Sequence, residues 1–204
     1  MGVPNFQVIA DMQRSDISEL PAGFPVVGHA IVSADGMIAD AAGLMPSPLR
    51  NEADFSLFQK ALDEAAIVVV GRMGHERHPN PGRRRLVFTG SVASFAEDPR
   101  DRLAALYNPA GMELADALRR MRIAGGTVAV TGGRRVFDRF LPLFAEFLLA
   151  EVNGFVLPDG IPCFSDGHPR TALAKAGLTP AETRIIDAAN GVTLTRWVRN
   201  ATTP

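Results

Sequence analysis

Lysine and cysteine are nearly missing from this 204-residue chain, which holds only Lys60, Lys175 and Cys163. One cysteine cannot close an intramolecular disulfide, and a four-thiolate zinc site is excluded with it. Neither lysine follows a glycine-rich loop, which removes Walker-type phosphate loops and makes Schiff-base chemistry a poor candidate. A basic excess is missing too: 21 Lys and Arg stand against 22 Asp and Glu, for a formal charge of −1. Nucleic acids and membrane surfaces both select such an excess, so neither is an expected partner. No apolar run approaches the roughly 20 residues needed to cross a bilayer. The first residues lack the basic-then-apolar order of a secretory leader, so a cytoplasmic, reduced setting is expected. What is present suits one soluble core: 47% of residues are apolar. A chain this long buries roughly 70% of its unfolded surface. The basic residues are lopsided, with 19 Arg to the two Lys.

Residues 1–24 end in the turn signal Leu20-Pro21-Ala22-Gly23 and read as an N-terminal extension, with one short helical piece around Val8–Met12. Residues 25–204 read as a single domain without internal repeats. Pro25 to Ser33 is a Val- and Ile-rich strand closed by Ala34-Asp35-Gly36, and residues 37–50, with Gly43, Pro46 and Pro48, read as a loop. Phe55, Phe58, Leu62 and Ala65 recur at helical steps and predict a helix from Asn51 to Ala66. Short apolar runs predict strands at Ile67–Val70, Leu86–Thr89, Thr127–Thr131 and Phe147–Val152, with Phe155–Leu157 as a candidate extension of the last beyond Gly154. Helices are expected at Met112–Ala124 and Arg134–Leu141. Thr183–Asp187 and Val192–Arg199 read as an antiparallel pair joined around Asn190-Gly191. Buried strands alternating with helices indicate an α/β three-layer sandwich. Its central sheet is expected to be mixed and mostly parallel, with antiparallel C-terminal strands.

Glycine closes three strands where packing does not require it: Val70-Gly71-Arg72, Phe88-Thr89-Gly90-Ser91 and Val130-Thr131-Gly132-Gly133. Ligands of open α/β sheets collect at the carboxyl ends of strands, and backbone N–H groups without a Cβ in the way suit a phosphate. Each glycine alone is an ordinary turn. Three together, two flanked by Arg, favour a nucleotide, although neither G-x-G-x-x-G nor G-x-x-x-x-G-K occurs. His75 and His78 suggest a metal only superficially, because the spacing is H-E-x-H with Pro79 directly after, so no metal site is expected. Arg83-Arg84-Arg85 reads as a solvated turn entering a strand, or as a source of one anion-binding Arg. Asp54 admits two readings. It completes a capping pair with Asn51, or it faces a pocket as a hydrogen-bonding and proton-supplying group.

In order, these pieces resemble the dihydrofolate reductase-like fold over residues 26–166, closest to the stand-alone reductase domains of riboflavin biosynthesis. Ser33-Ala34-Asp35-Gly36-Met37-Ile38-Ala39 matches S-x-D-G-x-I-A of the riboflavin type, and Asp54 with Phe58 matches D-x-x-x-F of the dihydrofolate reductases. Gly71-Arg72, Pro81-Gly82-Arg83 and the run Thr131 to Phe137 match the G-R, P-G-R and strand–Gly-Gly–helix segments. The resemblance implies NADPH as cofactor. Gly132, Gly133 and the following Arg134, Arg135, Val136 and Phe137 would lie along its diphosphate, with Thr131 before them. Arg72 and Thr89 would reach the adenosine 2′-phosphate, among Gly71, Met73, Gly74 and Gly90. Ala30, Ile38 and Ala39 would flank the nicotinamide. Asp54 would be the catalytic acid, and His29, Asp35, Met45, Phe58 and Arg83 would bind a small heterocyclic substrate. Gly74 and Ala150 replace threonines of the dihydrofolate reductases, and no Trp follows Pro46; these departures weigh against folate reduction more than against the fold. The expectation is therefore an NADPH-dependent oxidoreductase of the riboflavin type, resembling 5-amino-6-(5-phosphoribosylamino)uracil reductase, and a homodimer. The alternatives are a divergent dihydrofolate reductase and a non-catalytic nucleotide-binding protein of the same fold.

Overall fold

The computed structural model describes residues 20–78 and 80–200. The helical piece expected at Val8–Met12 lies outside them. Among the described residues the first half of the chain forms β1 (Val26–Ser33), β2 (Met37–Ala39), α1 (Glu52–Glu64), β3 (Ile67–Gly71), α2 (Arg72–Arg77) and β4 (Arg85–Phe88). Then come β5 (Phe95–Glu97), β6 (Ala104–Tyr107), α3 (Leu114–Arg120), β7 (Val128–Val130) and α4 (Arg134–Phe140). The chain closes with β8 (Phe144–Val152), β9 (Ile161–Pro162), α5 (Pro169–Lys175), β10 (Leu178–Asp187) and β11 (Val192–Arg199).

Nine strands form one sheet in the order β10-β11-β8-β1-β7-β3-β4-β6-β5, and β2 pairs with β9 in a small second sheet. The six strands from β8 to β6 run parallel; β11 and β5 are antiparallel to their neighbours. Side chains alternate between faces, as a pleated strand requires. Ile67 and Val69 enter the large cluster with Leu118 of α3, Phe137 and Phe140 of α4 and Leu173 of α5. Val68 meets Leu62 and Phe58 of α1 on the other face. Helices thus cover both faces, giving the expected three layers and mixed sheet.

The local causes are readable. Asn51 caps α1 by accepting from Asp54 N at 3.1 Å, and its amide donates to Asp187 Oδ2 at 2.7 Å. Pro142 stands in the short 3-10 turn Leu141–Leu143 that ends α4. Several expectations need correction. Residues 37–50 hold β2 and a 3-10 turn at Ser47–Leu49 inside the expected loop. Phe155–Leu157 does not extend β8; Leu157 N instead donates to Asp35. The weakly patterned stretches 90–111 and 158–177 gave no elements in the sequence, yet contain β5, β6, β9 and α5. These are short, and pairing or packing rather than periodicity holds them.

Two arginines tie elements of the fold together. Arg170 forms a fork with the buried Glu151 at 2.7 and 2.8 Å, which holds α5 on β8. Arg199 donates to the carbonyls of Phe144, Ala176 and Leu141. No helix among the described residues is long and apolar enough to cross a membrane.

Gly28 sits in β1 where a Cβ would collide with the ring of Phe147 and reach 2.9 Å from Phe144 Cε1. Both rings are fully buried. Gly28→Ala should lower unfolding stability by about 1–3 kcal/mol through overpacking, measured by denaturant titration. An unchanged midpoint would mean that the rings yield freely.

Candidate active site

The parallel strands deliver their carboxyl ends to one edge of the sheet, and the glycine-closed turns meet there. Gly71 N donates to Gly132 O at 3.2 Å, and Thr131 N donates to Val69 O at 2.9 Å. The end of β3 is therefore tied to the turn after β7. Gly132 has φ +103° and Gly133 φ +74°, a region side chains avoid. A Cβ on Gly132 would lie 2.6 Å from Phe137 Cε2, whereas one on Gly133 would meet nothing within 4 Å. Phe137 thus seats the turn from below, and Gly133 leaves its outer surface bare. Val136 and Phe137 are core residues, 4% and 1% exposed, so their side chains pack inward beneath the turn. Arg134 and Arg135 are exposed at the start of α4.

Between α2 and the strands β4 and β6 opens a cleft of about 530 Å³, lined in part by Arg72, His75, Thr89, Ser91, Asp98 and Arg100. Arg72 pairs with Glu76 one helical turn on, at 3.0 Å, with both side chains about half exposed. An exposed pair of this kind holds weakly and can give way to a ligand anion. Thr89 Oγ1 donates to Ser91 Oγ at 2.9 Å and accepts from Ser91 N at 3.1 Å, and Gly90 between them faces open space. Expected Arg72 and Thr89 are brought together; His75, Ser91, Asp98 and Arg100 were not foreseen here. His75 Nε2 lies 3.2 Å from Asp98 Oδ2, so the histidine weighed as a metal ligand is held by a carboxylate instead. His78 ends α2. Among the described residues no group of three His, Cys, Asp or Glu is placed to hold a metal ion. The Asp98-Pro99-Arg100 turn carried the only sequence signal, and its distance from the glycine turns hid it.

Gly74 has a packing reason: a Cβ there would stand 3.0 Å from Val70 Cγ2. Met73 next to it is 50% exposed. The loop before α1 folds on itself, with Asp40 Oδ1 accepting from Ala42 N and Leu44 N, and the Arg77 guanidinium donates to Gly43 O. Met45 stands exposed on this loop.

Asp54 and His29 meet between α1 and β1. Asp54 Oδ1 lies 3.1 Å from His29 Nε2, each residue is 6% exposed, and the Phe58 ring meets the imidazole edge-on at 5.0 Å. Both readings of Asp54 hold in part: its backbone N–H is capped by Asn51, but its carboxylate turns inward to His29. His29 Nδ1 is buried without a partner among the described residues. A carboxylate and an imidazole in such contact can share and relay one proton.

Other expected residues serve the fold here. Asp35 accepts from Ser33 Oγ at 2.5 Å and from Leu157 N at 2.9 Å. Burial would raise its pKa, but these donors outweigh it and hold the carboxyl below the usual value. Arg83 is drawn to α1, where it binds Asp63 and Gln59, and it also donates to Asn80 in its own loop. Arg85 is buried and paired with Asp101, so the triplet is not a solvated turn throughout. Ala30 is buried in β1; Ile38 packs on the large cluster, and Ala39 pairs with β9. Burial pushes the Cys163 thiol far up, which keeps it from acting as a nucleophile.

No family model matches the chain, and no curated protein matches it. Solved structures do. One is a protein assigned to riboflavin biosynthesis in Shewanella sp. PV-4, with TM-score 0.62 and 17% identity over 87% of this chain and 99% of that one. The fold is the dihydrofolate reductase-like fold. A second is the Thermotoga maritima diaminohydroxyphosphoribosylaminopyrimidine deaminase/5-amino-6-(5-phosphoribosylamino)uracil reductase, with TM-score 0.60 and 16% identity. It is matched over 86% of this chain and 56% of its own length. A third is the Enterococcus faecalis dihydrofolate reductase complexed with NADP(H) and RAB-propyl, with TM-score 0.59 and 16% identity over 87% and 97% of the two chains.

The backbone N–H of Arg100 holds the Asp98 carboxyl below its usual pKa of 3.8; burial opposes this and the His75 hydrogen bond adds to it. A depressed carboxyl stabilises the fold above its unfolded pKa, and that stability is lost as pH falls through the folded value. Asp98→Asn should therefore lower the melting temperature most above about pH 4, with the gap to wild type closing towards lower pH. A gap independent of pH would remove the carboxylate's charge from the explanation.

Proposed function

We propose that the chain is an NADPH-dependent reductase of the riboflavin type, transferring hydride to a small heterocycle such as a pyrimidine carrying a ribosylamine. The observation that carries the reading is the cleft over β4 and β6, where Arg72, Thr89 and Ser91 stand at the carboxyl ends of the parallel strands, with the bare Gly133 in the turn tied to Gly71. Those groups suit a dinucleotide with an extra phosphate. The Arg72 guanidinium and the two hydroxyls would take the 2′-phosphate through charge-assisted hydrogen bonds, and Arg is always charged for the task. The Gly132-Gly133 turn would admit the diphosphate without a side chain in the way. NADPH, when bound, supplies the hydride.

The chain's own contribution at the reacting end is Asp54. Helix α1 fixes its backbone through the Asn51 cap, and His29 fixes its carboxylate. In that setting Asp54 would hold the substrate's polar edge and hand over a proton, while His29 orients the acid. The buried edge contact of Phe58 on His29 keeps water from this side. A second reading, a divergent dihydrofolate reductase, is favoured by Asp54 and Phe58 lying one helical turn apart on α1 and facing β1.

Titration by nicotinamide fluorescence should give saturable NADPH binding, and no binding at millimolar cofactor would sink the proposal. Arg72→Ala should weaken NADPH on the order of ten-fold while leaving NADH nearly unchanged, as expected for one lost charge-assisted phosphate contact. Equal weakening of both would take Arg72 away from the 2′-phosphate. NADPH oxidation at 340 nm with the phosphoribosylaminopyrimidine and with dihydrofolate decides between the two readings. In that assay Asp54→Asn should reduce kcat with the fold intact. Full activity with a lowered melting temperature would leave Asp54 only its part in the fold.

A further inference from the structure

The outermost strand, β10, pairs with β11 alone among the described residues. It is ten residues long, and the run from Thr179 to Ile185 is exposed at every position. Ile185 keeps 69% of its surface in solvent, the most of any exposed large apolar residue described. A long edge of unpaired N–H and C=O groups is a template for another strand, and proteins normally shorten or cover one.

The order of residues along this edge is self-complementary about Thr183. If a second copy pairs antiparallel with the dyad through Thr183, Glu182 of each copy faces Arg184 of the other. Ala181 then faces Ile185, and Pro180 faces Ile186. Moving the dyad by one residue sets Arg184 against Arg184 or Glu182 against Glu182, and like charges directly opposite are unfavourable. One register is therefore selected. Both charges keep room for a partner, since Glu182 acts on Arg196 only through space and makes no ion-pair contact among the described residues. Arg196, opposite Glu182 on β11, is bound to Glu146 at 2.7 Å, and Arg184 has no ion-pair partner among the described residues.

We infer that β10 is the interface through which two copies of this chain join into one continuous sheet. The pairing is an isologous strand addition, in which main-chain hydrogen bonds supply attraction and the Glu182–Arg184 contacts supply register. Irregularities at Pro180/Glu182 and Ile185/Asp187 bracket the regular run Glu182–Ile185 and confine the contact to the strand centre. A dyad uses up this edge, and the opposite edge is only the three-residue β5, so the assembly closes as a dimer and does not grow.

Sedimentation velocity over a concentration series should show a dimer for the wild type. Glu182→Arg and Arg184→Glu should each weaken it on the order of ten-fold or more, and the double exchange should restore it. Circular dichroism confirms that each variant remains folded. Thr183→Cys should form a disulfide-linked dimer on oxidation, because directly opposed residues lie about 4.5–5.5 Å apart at Cα, within disulfide reach. Cys163 is fully buried and does not compete. Thr179→Cys, opposed to Asp187, should stay unlinked. A wild type that is monomeric at every concentration overturns the inference. So does a dimer that ignores both single charge reversals, or one in which Cys at 183 fails to cross-link.

Discussion

Three residues join the two halves of this molecule. Val128-Ala129-Val130 pair with Val26–Gly28 of β1 on one side and with Ile67–Val69 of β3 on the other. They are parallel to both, so the chain leaves all three strands at the same edge. The turn after β7 must then reverse within three residues, since α4 begins at Arg134. Gly132 and Gly133 make that reversal possible, and Phe137 comes back beneath Gly132 to close it. The tie from Gly71 to Gly132 fixes the start of α2 as well, and with it Arg72 and His75. The cleft follows from where a three-residue strand is paired.

Arginine does two kinds of work in the structure. Arg170 and Arg199 satisfy buried acceptors, a carboxylate in one case and three helix- and strand-end carbonyls in the other. Arg83 binds α1 by the same means. A planar fork of five donors can do this where an ammonium could not. Arg72 and Arg100, by contrast, hold only exposed or loose partners, at 3.0 Å to Glu76 and 3.7 Å to Asp98. The near-neutral total hides this division, and in the cleft Arg72 and Arg100 are matched by Glu76 and Asp98 through contacts looser than those of the structural arginines.

The strongly patterned parts of the chain were legible in the sequence. The helix from Asn51, the strands at 26–33 and 67–70 and the C-terminal pair combine periodicity with a cap or a turn signal, and they fold as expected. The stretch from 90 to 111 was not legible, because β5 and β6 have three and four residues and exist by pairing with β4 and with each other. Arg83 illustrates the same limit at a side chain. Its position after Pro81-Gly82 suits an anion site, but Asp63 and Gln59, some twenty residues away, occupy its donors.

By itself the sequence determined the strand–helix alternation and the glycine-closed strand ends, because these depend on neighbours a few residues apart. It also placed Asp54 in the first turn of its helix. Only the tertiary structure decided that Asp54 meets His29, that His75 meets Asp98, and that Arg100 shares a cleft with Arg72. Each of these contacts joins residues more than twenty positions apart on different elements. Their meeting depends on strand order and register, which come from the summed packing of both sheet faces and not from any local pattern.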